Sequence, residues 1–560
     1  MTNAADWLLQ ALADAGVEVV FGNPGSTELP LIDAFPRQDR LRYVLGLHEA
    51  SVMGMADGYA QQGDRLAVVN VHVQPGLANA MSGLLNAARA RVPMLVTVGQ
   101  QVTSLAGEAP FLGGELVAMA RPFAKGAWEA RSTEELPELL TLAIGTAMDH
   151  PRGPVMLALP MDVLAGPGGL GLPARGSVHR LPQGDLDRAA ALLSRAEAPV
   201  VLAGDGVVHE GASSELMAVA ERIGAPIHGE PFAARAPVPT DHPLWLGPLP
   251  GFAVEIARRL AGYDVVLAVG MPVFRLFGDS PGPPLAPGTR LIHVDVDPAE
   301  IGRSITPDVG LAVPVGAGLR AIADRLGPAD PRIEARRAGV ARRAAEGRAR
   351  AAATLRDLRK APAVTPAVFS GAVADAVGRD DLVVDEALTS GRWLRTALGR
   401  RDTRNWLAHR GSALGWGLPV AVGAKLADPQ RRVMCVHGDG SFLFGAPALW
   451  TAARERLGVA VVVADNAGYE ILRAGLEGLT GRVDGGWPGL ALSDPPLDIA
   501  GIARGYGASA ERVDAPDALP GALDRLWRRA QAGPAVLVVA VSGRTPAVGY
   551  PLGPAAATGP

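Results

Sequence analysis

Along the first hundred residues, short apolar runs rich in β-branched residues alternate with stretches of helical period. VEVVF (17–21) leads into the loop GNPGST, a helix near Ser51–Gln62 precedes LAVVNVHV, and a second helix separates that run from MLVTVG. Such alternation predicts parallel sheets covered by helices. The rhythm returns in a middle block, APVVLAGDGV, DVVLAVG and RLIHVDVD. It returns again in a C-terminal block, DLVVDEA, RVMCVHGDGS, VAVVVADN and AVLVVAV. Between the blocks lie a Pro/Gly-rich stretch, 165–185, and the Arg/Ala-rich segment ARRAGVARRAAEGRARAAATLRDLRKAPAV. The expected fold is α/β, with three doubly wound parallel-sheet domains at 1–168, 183–330 and 362–545, a linker helix at 331–361 and a tail at 546–560.

Length and composition bound the function. A chain of 560 residues is too long for one core, and 48% hydrophobic residues supply several. The net charge of −4 gives no general attraction to nucleic acid and no polybasic membrane surface. The Arg/Ala-rich segment reads as a nucleic-acid patch or as a solvated helix; with no wider basic face around it, the solvated helix is the better reading. The lone cysteine, Cys435, rules out a disulfide framework or a cysteine metal site within one chain and suits a reducing cytoplasm. The N-terminal MTNAADWLLQALADAG lacks the basic start and continuous apolar stretch of a signal peptide. No run approaches the roughly 18 apolar residues of a membrane span. A soluble, cytoplasmic protein is expected.

Two loops carry candidate chemistry. Gly22–Thr27 stands between a strand and a helix, where backbone N–H groups often cradle phosphate, yet it lacks the lysine of a phosphate loop. The plain alternative is a turn with Ser26 or Thr27 as helix cap. Sharper is VMCVHGDGSFLFG (433–445), followed by VAVVVADNAGYEILR (459–473). Each apolar strand ends in an oxygen ligand, Asp439 or Asn466. Such ligands at the carboxyl ends of neighbouring strands suit Mg²⁺ or Ca²⁺, with phosphate oxygens completing the shell. Taken alone, GDGS is a tight turn and Asn466 a loop cap; the pair points to a metal and a diphosphate.

This pair resembles the signature of thiamine-diphosphate enzymes, and FGNPGSTELP, LHEASVMGMADGYAQ, NAMSGLLNA, VTVGQQ and MPVFR resemble the benzoylformate decarboxylase branch of that family. The resemblance reaches to about residue 545. It implies a pyrimidine-binding, a middle and a diphosphate-binding domain, with the cofactor between two chains. A homodimer would be the minimal active unit, and tetramers are usual. Asp439 and Asn466 would bind the metal through side chains and Gly468 through its carbonyl. Ser441, Tyr469, Thr389 and Ser390 would hold the diphosphate, with Ser412, Gly438 and Gly440 also against the cofactor. Glu49 would face the aminopyrimidine and drive loss of the thiazolium proton, while Leu414 would wedge the cofactor into its bent form. His72 would transfer a proton or bind substrate, and Ser26 would meet the carboxylate of a small 2-oxo acid.

The pattern breaks at the substrate. A second active-site histidine of the decarboxylase branch is replaced by Phe277, which cannot carry a proton; His409 is a candidate substitute. Ile471 replaces a small residue, and Arg473-Ala474-Gly475 stands where that branch has aromatic side chains. The resemblance still implies non-oxidative decarboxylation of a 2-oxo acid, benzoylformate-like, aryl or branched, to an aldehyde and CO₂. The alternative is a carboligase or lyase of acetolactate-synthase or benzaldehyde-lyase type, in which the same carbanion equivalent attacks a second carbonyl. Intact Glu49, Asp439 and Asn466 argue against a cofactor-binding but idle partner subunit.

Overall fold

The computed structural model describes residues 3–108, 110–168, 183–276, 282–328, 331–399, 403–483 and 486–542. Phe277 and the tail at 546–560 lie outside them. Eighteen described strands form three parallel sheets of six. The first holds β1 (Val19–Asn23), β2 (Arg42–Leu45), β3 (Ala67–Val71), β4 (Met94–Gln100), β5 (Ala127–Glu129) and β6 (Pro154–Pro160), in the order β2-β1-β3-β4-β6-β5. The second holds β7 (Pro199–Ala203), β8 (Ile227–Gly229), β9 (Trp245–Pro248), β10 (Val265–Val269), β11 (Arg290–Asp295) and β12 (Val309–Ala312), in the order β12-β11-β10-β7-β8-β9. The third holds β13 (Leu382–Glu386), β14 (Trp406–Ala408), β15 (Val433–Gly438), β16 (Val459–Asp465), β17 (Ser509–Val513) and β18 (Ala535–Ala540), in the order β14-β13-β15-β16-β18-β17.

The first and third sheets thus share one winding and the second has another. In all three the chain starts at an interior strand and reverses direction across the sheet, as expected for doubly wound folds. Ligands bind such sheets in the crevice where the strand order reverses, beyond the carboxyl ends. In the first sheet that crevice lies between β1 and β3, and in the third between β13 and β15.

The first and third sheets are joined by two helices, Glu49–Gly63 and Gly417–Ala427, which lie against each other with little between their backbones. A Cβ at Gly58 would stand 2.0 Å from the carbonyl oxygen of Val420, and one at Gly423 would stand 1.8 Å from that of Met55. Only glycine permits this approach. Helix Glu49–Gly63 is buried on nearly every side from Ser51 to Ala60, which is why its sequence has little amphipathic pattern. The helix Pro331–Leu358 packs against the second sheet's domain through Val340 and buries only Val340, Ala344 and Leu355.

Candidate active site

At the crevice of the first sheet, β1 ends at Asn23 and the chain turns into a short 3₁₀ segment, Ser26–Glu28, before the helix Leu29–Ala34. Neither Ser26 nor Thr27 caps that helix, contrary to the plain-turn expectation; Gly25 holds the cap position of the 3₁₀ turn. The loop glycines serve close approach to neighbouring side chains. A Cβ on Gly25 would lie 2.2 Å from Cγ of His72, and one on Gly22 would lie 2.0 Å from the Tyr43 hydroxyl. Since Gly25 has an ordinary extended backbone (φ −128°), space and not conformation requires glycine there. These glycines make room for the His72 and Tyr43 side chains.

Ser26 is exposed, while Thr27 and Glu28 are buried. Sequence reasoning missed Glu28, the organising group of this corner. Its carboxylate accepts from the Gly25 N–H (2.7 Å), from Thr27 Oγ1 (2.8 Å) and from His72 Nδ1 (2.9 Å). Thr27 Oγ1 also lies 3.1 Å from His72 Nδ1. A carboxylate only accepts, so the proton of this contact sits on Nδ1, and Nε2 of His72 is left free for other work. The next residue, Val73, is buried with φ +38°, a conformation that a β-branched side chain seldom adopts. Strain of this sort concentrates at functional sites. The signal available in the sequence was an acid three residues beyond Gly25, inside FGNPGSTELP.

Glu49 opens its buried helix and is itself half-buried. Asn79 Nδ2 donates to its Oε2 at 3.0 Å, and a Cβ on Gly76 would come within 3.4 Å of Oε1. One carboxylate oxygen is thereby anchored and the other lies beside a residue with no side chain.

At the crevice of the third sheet, a second acid missed by the sequence reading stands at the end of β13. Glu386 accepts from the N–H of Gly415 (2.7 Å) and of Gly417 (2.6 Å), clamping the loop that carries Leu414. The same loop is held from the first domain by Asn86, which donates to the Ala413 carbonyl (2.9 Å) and accepts from its N–H (3.2 Å). Trp416 Nε1 donates to Asp57 Oδ2 at 2.8 Å, on the helix that Glu49 opens. Ser412 and Gly415 both take positive φ (+61° and +84°), and between them Leu414 projects, 39% exposed. An apolar side chain held out by a loop pinned on both sides fits a wedge.

Burial pushes Glu386 up to about 8, against the N–H groups that favour its charged form, and pushes His437 down to about 3. With His437 Nε2 3.6 Å from Glu386 Oε2, the two face each other without charge favoured on either. His437 Nδ1 lies 3.0 Å from Ser441 Oγ, fixing that hydroxyl. Thr389 and Ser390 are buried in the turn after β13, and the Ser390 carbonyl accepts from Ser370 Oγ at 2.9 Å.

Gly438 ends β15, and the short helix Asp439–Gly445 follows. Asp439 accepts from the Gly440 N–H (2.8 Å) and, through Oδ2, from the Gly468 N–H (3.1 Å). Asn466 Oδ1 accepts from the same Gly468 N–H at 3.2 Å, so the two side-chain oxygens converge. Ala467, between Asn466 and Gly468, adopts φ +56° to make the turn. The Gly468 carbonyl accepts from the Glu470 N–H, which leaves it a second lone pair. The absent Cβ of Gly440 is needed by Tyr469, whose ring would stand 2.6 Å away.

These residues fit a small, hard cation and a phosphate group. Burial pushes Asp439 up to about 6, a shift that a neighbouring cation would reverse. Among the described residues there is no cluster of three His, Cys, Asp or Glu side chains. A cation here would therefore complete its shell with carbonyl, water and phosphate oxygens, as Mg²⁺ does.

The remaining expected residues stand apart. His409 has an unpartnered buried Nδ1, sits edge-on to Trp416 with ring centres 6.4 Å apart, and is shifted down by burial. Ile471 is 38% exposed near the start of the helix Glu470–Thr480. The Arg473 guanidinium donates to the Leu490 carbonyl at 3.2 Å and packs over Gly468. Among the described residues, no hydrogen bond or ion pair joins Ser26, Glu49 or His72 to the Asp439 group.

Comparisons with known proteins agree with this geometry. The chain matches "Thiamine pyrophosphate enzyme, N-terminal TPP binding domain" over residues 2–119, the central domain of the same family over 186–322 and its C-terminal TPP binding domain over 389–539. It is 36% identical to a benzoylformate decarboxylase of Pseudomonas aeruginosa over 519 residues, covering 91% of this chain and 93% of that one. It is 29% identical to the acetolactate synthase isozyme 3 large subunit of Escherichia coli over 485 residues, covering 83% and 82%. Among solved structures, a thiamine diphosphate-dependent 4-hydroxybenzoylformate decarboxylase of Rhodococcus jostii superposes with a TM-score of 0.82 at 29% identity, over 98% of this chain and all of that one. With two buried acids organising the crevices of the first and third sheets, a convergent pair of metal-type oxygens and matches to all three domains, the chain belongs to the thiamine pyrophosphate enzyme family.

Proposed function

We propose that the protein catalyses thiamine-diphosphate-dependent, non-oxidative decarboxylation of an aryl or branched 2-oxo acid to an aldehyde and CO₂. The observation that carries this reading is His72, held by Glu28 through Nδ1 with Nε2 free beside the Ser26 loop. Decarboxylation ends by adding a proton to carbon, which calls for an oriented proton carrier. A buried carboxylate on the other nitrogen stabilises the imidazolium while it holds that proton.

Bound thiamine diphosphate would supply the nucleophilic carbon and the electron sink for loss of CO₂. The rest falls to the chain. Glu49, anchored by Asn79, would exchange a proton at a ring nitrogen of the pyrimidine. Leu414 would support the bent cofactor, and Ser441 and Tyr469, with Thr389 and Ser390, would bind the diphosphate. Asp439, Asn466 and Gly468 would hold Mg²⁺ or Ca²⁺. Ser26 would donate to the substrate carboxylate and orient it for departure.

The same proposal includes a second copy. Leu29, Leu47, Leu388, Leu414, Phe444, Ile471 and Leu472 are exposed large apolar side chains close in sequence to site residues. They support a homodimer as the active unit, with a homotetramer as its expected assembly. The single buried thiol, Cys435, supports a cytoplasmic location. No described helix is long and apolar enough to cross a membrane.

A carboligase of acetolactate-synthase type is the second reading, supported by the relatives of that name. His72 favours decarboxylation, and its replacement is the test. His72→Ala should lower aldehyde formation by roughly 10²–10⁴-fold, the usual worth of a positioned acid or base. The KM for the oxo acid should change far less than kcat. An unchanged kcat would remove His72 from the reaction and with it the main support for decarboxylation over ligation.

A further inference from the structure

A cavity of about 1000 Å³ opens where the edge strand β9, the helix Pro331–Leu358 and the edge strand β14 meet. It belongs to neither crevice described above, and its size is at the upper end for small-molecule pockets. Ala344, Gly347 and Ala351 form the helical wall, and these small side chains leave the space open. Trp245, Tyr263 and Trp406 provide flat apolar surface.

The polar groups on its walls are unusual in number and sign. Among the described residues Arg235, Arg259, Arg343, Arg348, Arg350 and Arg395 line it against a single carboxylate, Asp241. Among the described residues Arg259, Arg343 and Arg348 make no salt bridge, while Arg350 has only a 3.8 Å pair with Glu346. Three of the lining residues each hold a buried side-chain atom with no partner: His228 Nε2, Trp406 Nε1 and Arg235 Nε. His228 is 1% exposed and its Nδ1 lies 3.0 Å from the Gly247 carbonyl, to which it can only donate. Its Nε2 therefore presents a lone pair. Burial, with Arg259 and Arg343 nearby, pushes this histidine down to about 4, so that lone pair persists at neutral pH. Trp406 offers the opposite, an N–H donor, and Arg395 covers its ring at 5.0 Å.

A buried polar atom left unpaired is destabilising until a partner reaches it. Three around one cavity, under a surplus of arginines, describe the complement of a ligand. We propose that this cavity is a second binding site, for a flat aromatic anion that carries one hydrogen-bond donor. The ring lies among the aromatic side chains and the anion faces the arginines, while the His228 and Trp406 rings turn toward the cavity so that Nε2 meets the donor and Nε1 an acceptor atom. The walls also connect to the catalytic region. Arg235 donates to the carbonyl and side chain of Gln61, and Gln61 donates to Asp57, the acceptor for Trp416.

The test uses the full-length protein loaded with thiamine diphosphate and Mg²⁺, with binding followed by fluorescence titration and calorimetry. The probe is 6-hydroxy-2-naphthoate, compared with 2-naphthoate, which lacks the donor, and 2-naphthol, which lacks the charge. The expected result is one saturable site per chain for the hydroxynaphthoate, with each control weaker by about tenfold. The double substitution Arg343→Glu, Arg348→Glu, on the exposed helix, should weaken the hydroxynaphthoate by at least about tenfold while turnover without probe is unchanged. Absence of saturable binding, or equal binding by the double variant, would overturn the proposal. Because the readout is binding, either outcome is independent of which 2-oxo acid is turned over.

Discussion

Glu28 and Glu386 each place a buried carboxyl group beside a histidine. Glu28 gathers one backbone and two side-chain contacts, so its partner His72 is oriented with one nitrogen free. Glu386 spends both oxygens on the N–H groups of the Leu414 loop, and its neighbour His437 turns instead to Ser441. Neither acid was legible in the sequence as functional. Each lies inside a segment already explained, GNPGSTELP as a turn and DLVVDEA as a strand, and their partners are brought to them only by the fold. Glu49, Asp439 and Asn466 were legible because they occur in a family pattern. For Glu49 the account predicts that Glu49→Gln, which keeps size and hydrogen bonding but removes the ionisable proton, lowers turnover by about 10²–10⁴-fold. Metal-dependent binding of thiamine diphosphate, measured by calorimetry, should persist; retained turnover would contradict the role.

The elements divide by how they are buried. Strands such as VAVVVAD and AVLVVA were readable as apolar runs, because a parallel strand covered on both faces needs little else. Helix Glu49–Gly63 was harder to read in full. Its glycines look destabilising in isolation, yet Gly54 and Gly58 are what let Pro419 and Val420 of the partner helix come close. The GNPG loop had the same ambiguity: its glycines suggested a phosphate cradle, whereas Gly25 lies on the His72 ring. Gly25→Ala should therefore act sterically. With 2.2 Å to His72 Cγ, the loop or the ring must move, at a cost of about 1–3 kcal/mol. A lower midpoint in thermal unfolding and a reduced kcat are expected together; an unchanged Tm and kcat would show that the loop accommodates a methyl group.

At the scale of the whole molecule, two sheets of the same winding have switch-point crevices of different chemistry, a histidine and carboxyl groups at one and converging side-chain oxygens at the other. No hydrogen bond or ion pair connects the two groups among the described residues, and exposed leucines border both. That incompleteness supports a site assembled from two copies. Sedimentation and activity measured over a dilution series should show turnover lost as dimers dissociate; a fully active monomer would contradict the shared site. The substrate was the least legible part in the sequence: its reading rested on Phe277, outside the described residues, and on Ile471, and an apolar pocket discriminates only by shape. The most direct test of the central claim is product partition. The protein, loaded with thiamine diphosphate and Mg²⁺, is given benzoylformate and its branched aliphatic analogues, with and without an acceptor aldehyde. The account predicts CO₂ and free aldehyde in equal amounts as the main products, whereas acyloin as the main product, or no release of CO₂ from any of these acids, would contradict it.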